Sequence, residues 1–132
     1  MNGKNIVGQR DSGEYPAPRG LKGVVKVKVK GENIFWGSGM MELLELIKKC
    51  GSLKQACEQM QMSYSKGYRI IKAAEAELGF PILYREKGGL QGGGSVLTPE
   101  GEKFADCYQS YLLEMRGLSE KAFSRCFEEY LK

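Results

Sequence analysis

Apolar and polar positions change their period several times along this 132-residue chain, and each change marks an element. Val25, Val27 and Val29 alternate with Lys26, Lys28 and Lys30, the period-2 signature of a half-buried strand. Gly31-Glu32 offers a two-residue turn with glycine first, suited to type II′, and Asn33-Ile34-Phe35-Trp36 returns as a second strand. The period then becomes helical. Ser38 is placed to cap a helix over Gly39–Cys50, with Met40, Leu43, Leu44 and Ile47 on one face and Gly51 as its stop. Ser52-Leu53-Lys54-Gln55 fits a capping box and begins a short helix ending near Met60. Ser63 caps a third helix that runs to Leu78 and is closed by Gly79, with Pro81 beyond.

Helix, tight turn, helix at this spacing is the outline of a helix-turn-helix. Ala56 lies where the two helices would cross, and Met62 is placed to plug the angle between them. Ile82–Arg85 and Gly94–Leu97 read as two strands joined by a flexible tip, Glu86 to Gly93. Thr98-Pro99 is a strong helix start, hydroxyl cap followed by proline. The helical pattern then continues to about residue 131, tolerating Gly117. Phe104, Tyr108, Tyr111, Met115, Leu118 and Ala122 are spaced 4-3-4-3-4, a heptad seam read as a dimer interface. Some 30 residues of helix make a rod of about 45 Å, longer than so small a domain covers by itself.

The expected fold is therefore mainly α with small β: a winged helix-turn-helix with an N-terminal β-hairpin and a long C-terminal dimerisation helix. Residues 1–20, rich in glycine and proline and poor in apolar side chains, read as a flexible leader, and 21–132 as one domain. At 14.7 kDa, with 42% hydrophobic and 27% charged residues, the chain has the composition of a soluble domain with its own core. No run approaches the roughly 18 apolar residues of a membrane span, and the polar start is no secretory signal, so a cytoplasmic protein is expected.

Composition also narrows the chemistry. The absence of histidine removes Ser-His-Asp and Cys-His catalysis and His-ligated zinc. Cys50, Cys57, Cys107 and Cys126 form no C-x-x-C pair and read as reduced, packed thiols. No metal, cofactor or small-molecule site is evident. Gly89-x-x-x-x-Gly94-Ser95 imitates a phosphate loop, but it lacks the lysine and leads into a strand. The net charge of +4 is unevenly spread: residues 1–36 hold seven Lys/Arg against three acids, and 100–132 hold five against seven. A basic front and an acidic tail point to an anionic partner for part of the surface.

Ser63–Leu78 followed by Gly79-Phe80-Pro81-Ile82-Leu83-Tyr84-Arg85 resembles the recognition helix and first wing strand of LysR-type regulators. The specific part is Glu75-x-Glu77-Leu78-Gly79-x-Pro81-x-x-x-Arg85. The glycine-rich tip, Val96-Leu97-Thr98-x-x-Gly101 and the hairpin Val24–Trp36 are similar to the N-terminal domains of ModE-type molybdate-responsive regulators. The resemblance covers about Val24–Lys132. It implies a winged helix-turn-helix that dimerises through its last helix and binds operator DNA in bacteria or archaea. Members commonly carry C-terminal molybdate-binding domains; the sequence stops at Lys132, so a stand-alone domain is expected. The turn position usually held by glycine is Gln61, at a cost of about 1 kcal/mol if its backbone is left-handed.

A major groove admits one helix, read by side chains near its N-terminus. In Ser63–Leu78 the expected inward set is Ile70, Ile71, Ala74 and Leu78. The outward set is Ser63, Tyr64, Ser65, Lys66, Tyr68, Arg69 and Lys72. Arg69 suits a guanine edge and Lys72 a phosphate. Ser52 and Lys54, with the amides at that helix start, suit another phosphate. Arg85, Lys87, Gly88, Gly89 and Gln91 suit the backbone or minor groove, glycine allowing close approach. The Lys26, Lys28 and Lys30 row reads first as a charged strand face that discourages edge pairing. The partners expected are double-stranded DNA and a second copy. The alternative is a protein–protein module that binds a partner regulator or a molybdate-sensing subunit; an enzyme finds no support.

Overall fold

A computed structural model describes residues 15–16, 19–85 and 94–131. The expected leader and the wing tip at 86–93 fall largely outside them. The hairpin is shorter than the alternation suggests. β1 is Val29–Lys30 and β2 is Ile34–Trp36, antiparallel, with Val29 opposite Trp36, Lys30 opposite Ile34 and a bulge between. The turn is thus three residues, Gly31 to Asn33, and Gly31 is not among the glycines of positive φ, so the type II′ expectation fails. Residues upstream of Val29 stay unpaired because they have another partner: they lie as an extended arm on the last helix, where the Tyr108 hydroxyl donates to the Val27 carbonyl at 2.7 Å.

α1 spans Ser38–Cys50 and buries Met40, Leu43, Leu44 and Ile47, the face its spacing predicts. Its N-cap is Gly37, so Ser38 is the first helical residue rather than the cap. Gly51 ends it with φ 72°. α2 is Leu53–Gln59, and the Ser52 hydroxyl accepts the Gln55 amide at 3.1 Å. After a four-residue turn comes α3, Tyr64–Leu78, capped by Ser63, which accepts the Lys66 amide at 3.1 Å. Within the turn Gln61 has φ 59°, the left-handed conformation that favours glycine. α3 presents Gly67, Ile71 and Ala74 to the core, with Ile70 and Leu78 partly buried beside them.

The wing pairs β3 (Leu83–Arg85) with β4 (Ser95–Leu97), Leu83 opposite Leu97 and Tyr84 opposite Val96. Leu83 and Leu97 face inward; Tyr84 and Val96 form an exposed apolar pair on the outer side. α4 spans Pro99–Cys126 and gives way to a 3-10 turn at Glu128–Tyr130, a few residues before the pattern alone would end it. Thr98 caps it, accepting the Gly101 amide at 2.9 Å and donating to the Pro81 carbonyl at 2.7 Å. A Cβ on Gly101 would lie 2.7 Å from the Ile82 carbonyl oxygen, so only glycine lets α4 seat against the wing strand.

The core gathers Trp36, the α1 face, Leu53, Ala56, Cys57, Ile71, Ala74, the inner wing and the first half of α4. Burying each large aliphatic side chain contributes about 1.5–3 kcal/mol. α4 divides in two: Gly101, Ala105, Tyr108 and Leu112 are buried, whereas the helix beyond is covered only in part. That division corrects two of the seam positions. Phe104 packs on Trp36 with ring centroids 4.6 Å apart, and Tyr108 is 3% exposed with its hydroxyl bonded to the arm. Both belong to the subunit's own core, because a helix that closes a domain must turn its apolar stripe inward first. Among the described residues no helix is long and apolar enough to cross a membrane.

Candidate nucleic-acid interface

The candidate surface is built on the N-terminal half of α3. Ser63 anchors the first turn, and no acidic residue stands there. Tyr64, Ser65, Lys66 and Arg69 are exposed, and Tyr68 is partly buried with its ring 6.2 Å from that of Tyr64. Lys66 and Arg69 lie at i and i+3, on neighbouring points of one face. Among the described residues neither has a carboxylate within 4 Å.

Both acids of α3 point elsewhere. The Glu75 carboxylate, 14% exposed, accepts the Ile82 amide at 2.8 Å and so ties α3 to the wing. The Glu77 carboxylate accepts the Glu32 and Asn33 amides at 3.0 and 3.1 Å and the Asn33 side-chain amide at 3.2 Å. The Glu32 amide foremost holds its carboxyl below the usual glutamate range, against an upward push from burial, and the Asn33 side-chain and backbone amides add smaller lowering contributions. The helix thereby keeps its negative charge on the inner side and its positive charge outside.

Lys72 is less free than its place in the sequence implies. Its ammonium sits 3.4 Å from Glu75 and 5.6 Å from the Tyr68 ring centroid, though the side chain remains 56% exposed. The start of α2 is also partly occupied. The Gln55 amide bonds to Ser52, and the Leu53 amide to the buried Ser95 hydroxyl at 3.4 Å, so only part of the expected amide cradle is left. Lys54 is exposed beside it. Ser95 also donates its own amide to the Gly51 carbonyl at 2.9 Å, fastening the wing to the junction of α1 and α2. Arg85 pairs with Ser95 through the ladder, so the base of the wing lies next to the α2 start. Lys87, Gly88, Gly89 and Gln91 lie outside the described residues.

The angle between α2 and α3 depends on a residue the hydrophobic pattern passes over. A Cβ on Gly67 would collide with the Cys57 sulfur and meet Met62 Sδ at 3.6 Å. Burial pushes the Cys57 thiol up, away from thiolate chemistry. Glycine inside a helical pattern was the available signal for Gly67. For Glu75 and Glu77 the signal is the string Glu75-x-Glu77-Leu78-Gly79-x-Pro81 that carries the family resemblance, which by itself gives neither carboxylate a role.

Of the seam, Tyr111, Met115, Leu118 and Ala122 lie on the outer stretch of α4, beyond or beside the covered stripe, and Leu118 is 54% exposed. Met115, Leu118 and Ala122 join Val25, Phe123 and Phe127 around an apolar groove of about 440 Å³.

Residues 39–102 match the family model of the bacterial regulatory helix-turn-helix proteins, lysR family. Over 72 residues the chain is 35% identical to the molybdenum-pterin-binding protein MopB of Rhodobacter capsulatus, an alignment covering 54% of this chain and 27% of that protein. Over 68 residues it is 34% identical to the transcriptional regulator ModE of Haemophilus influenzae, covering 52% and 27%. The chain thus spans about 27% of the length of these curated relatives. Among solved structures, the CbnR DBD–DNA complex aligns with TM-score 0.49 and 25% identity, over 67% of this chain and 93% of that one.

Proposed function

We propose, from the match of residues 39–102 to the lysR-family bacterial regulatory helix-turn-helix proteins, that this chain is a sequence-specific DNA-binding transcriptional regulator acting as a dimer, not an enzyme. α3 enters a major groove about 12 Å wide, where Ser65, Lys66 and Arg69 meet base edges and Tyr64 and Tyr68 flank them. Ser52, Lys54, Ser63 and Lys72 meet phosphates, and the wing from Arg85 through Lys87, Gly88, Gly89 and Gln91 touches the backbone or minor groove. The observation that carries this reading is the sorting of charge on α3: both carboxylates are engaged by the protein's own amides or by Lys72, while Lys66 and Arg69 stand exposed without a carboxylate partner among the described residues.

A second copy covers the apolar groove around Met115, Leu118 and Ala122. Two recognition helices on a two-fold axis favour a pseudo-palindromic site. The names of the relatives, a ModE regulator and a molybdenum-pterin-binding protein, support molybdenum-linked genes as its targets, read in the cytoplasm.

The test is binding to random and selected duplexes as a function of salt. Affinity for random duplex should fall steeply as salt rises, since phosphate neutralisation dominates non-specific binding. Selection from a random library should recover a two-fold-related site. Recovery of no sequence, together with salt-independent or absent binding, refutes the reading and leaves the protein–protein alternative.

A further inference from the structure

Away from α3, a cleft of about 290 Å³ opens between the arm, the start of α1 and the middle of α4. Lys26 and Lys28 line it from the arm, Ser38 from α1 and Arg116 from α4, with Val27 and Leu112 in its apolar wall. The two lysines stand two residues apart on the arm, and both line the cleft. Arg116 comes from the facing helix. Among the described residues none of these three cations has a carboxylate within 4 Å. Glu120, one turn beyond Arg116, lines the neighbouring hollow and not this one, and Arg116 borders both. The first turn of α1 carries no acid, and its N-cap, Gly37, has no side chain to close it. Three like charges gathered on one concave surface repel one another, and an anion between them removes that repulsion.

We infer that this cleft binds a small, multiply charged anion of the phosphate or polycarboxylate kind, bridging the arm to α4. Lys28 and Arg116 supply charge from opposite walls, Arg116 with a planar fork suited to paired oxygens. The Ser38 hydroxyl adds a donor, and the apolar wall excludes water from one side. The site is separate from the DNA surface: Ser38 and Gly51 bracket α1, 13 residues or about 20 Å of helix, and it is Gly51 that adjoins the wing and α2. The inference stands independently of DNA binding.

The test is thermal unfolding of the full chain at constant ionic strength, with chloride exchanged stepwise for inorganic phosphate or for citrate. The midpoint should rise with the logarithm of anion concentration once the dissociation constant is passed, by about 5 °C at ten times that constant. A rise with phosphate alone identifies a phosphoryl ligand, and one with citrate alone a polycarboxylate. Lys28→Gln and Arg116→Gln should unfold at or slightly above the wild-type temperature in chloride yet lose at least three quarters of the rise. Glu120→Gln should tighten binding severalfold by removing a carboxylate from the hollow that Arg116 also borders. An equal rise in wild type and both variants, the mark of general salt exclusion, overturns the proposal. So does no rise with either anion, or a loss of DNA affinity in chloride caused by the two variants.

Discussion

Gly67 of α3 lies directly over Cys57 of α2, too close for any side chain to stand between them. The contact sets how deeply the two helices of the motif nest, and with it the outward aim of Lys66 and Arg69. Gly67→Ala should destabilise the domain by about 1–3 kcal/mol, as overpacking does elsewhere, in spite of alanine's better helix propensity. Cys57→Ala clears the sulfur and should recover part of that loss. Urea unfolding of the two single variants and the double variant measures the coupling; strictly additive losses would place the strain elsewhere.

Glu77 gives the hairpin a pH dependence. Its folded-state pKa lies below the ordinary value of 4.5, so its contribution is complete above that value and is lost as pH falls through the lower folded value. Glu77→Gln should therefore weaken the domain at pH 7, and by a smaller margin at pH 3. Denaturation midpoints at the two pH values check this, and an unchanged gap would mean that the carboxylate's charge is not what holds Glu32 and Asn33.

Arg69→Ala should lower preference for the selected site by about 1–3 kcal/mol while leaving affinity for random duplex nearly intact. Lys72→Ala should weaken binding to all sequences and flatten the salt slope by about one unit. Since Lys72 also faces Glu75 at 3.4 Å, that variant should be accompanied by Lys72→Gln as a control for packing over Tyr68. Equal loss on selected and scrambled duplex for Arg69→Ala contradicts a base-reading role.

The two halves of α4 should respond differently to substitution. Leu118→Asp places a charge in the exposed apolar groove and should yield monomers in sedimentation without loss of helix. Tyr108→Phe removes the bond to the Val27 carbonyl and should cost about 1 kcal/mol of stability with no change in association. Dimers that persist in Leu118→Asp would locate the interface elsewhere.

Gln61→Gly should raise stability by up to about 1 kcal/mol, since a residue with a side chain holds φ 59° there against its preference. Part of the gain is offset by the larger unfolded-state entropy of glycine. A loss of stability on this substitution would show that the Gln61 side chain contributes more than its backbone costs.

Much of this protein was legible in local chemistry. Hydroxyl caps at Ser52, Ser63 and Thr98, glycine stops at Gly51 and Gly79, and the Met40–Ile47 face act within a turn or two, so their spacing alone locates the helices, the turn and the wing strands. What spacing could not decide is which partner each group finds across the fold. Phe104 and Tyr108 continue a heptad that reads as one seam, yet α4 closes its own domain with them before Leu118 emerges. Glu75 and Glu77 read as ordinary helix acids until Ile82, Glu32 and Asn33 arrive beside them. β1 stops short because the arm's carbonyl meets a tyrosine 81 residues away. Periodicity fixes which side of an element is apolar; what that side, or a helix carboxylate, meets is settled by packing between residues far apart in the chain, which only the assembled fold determines.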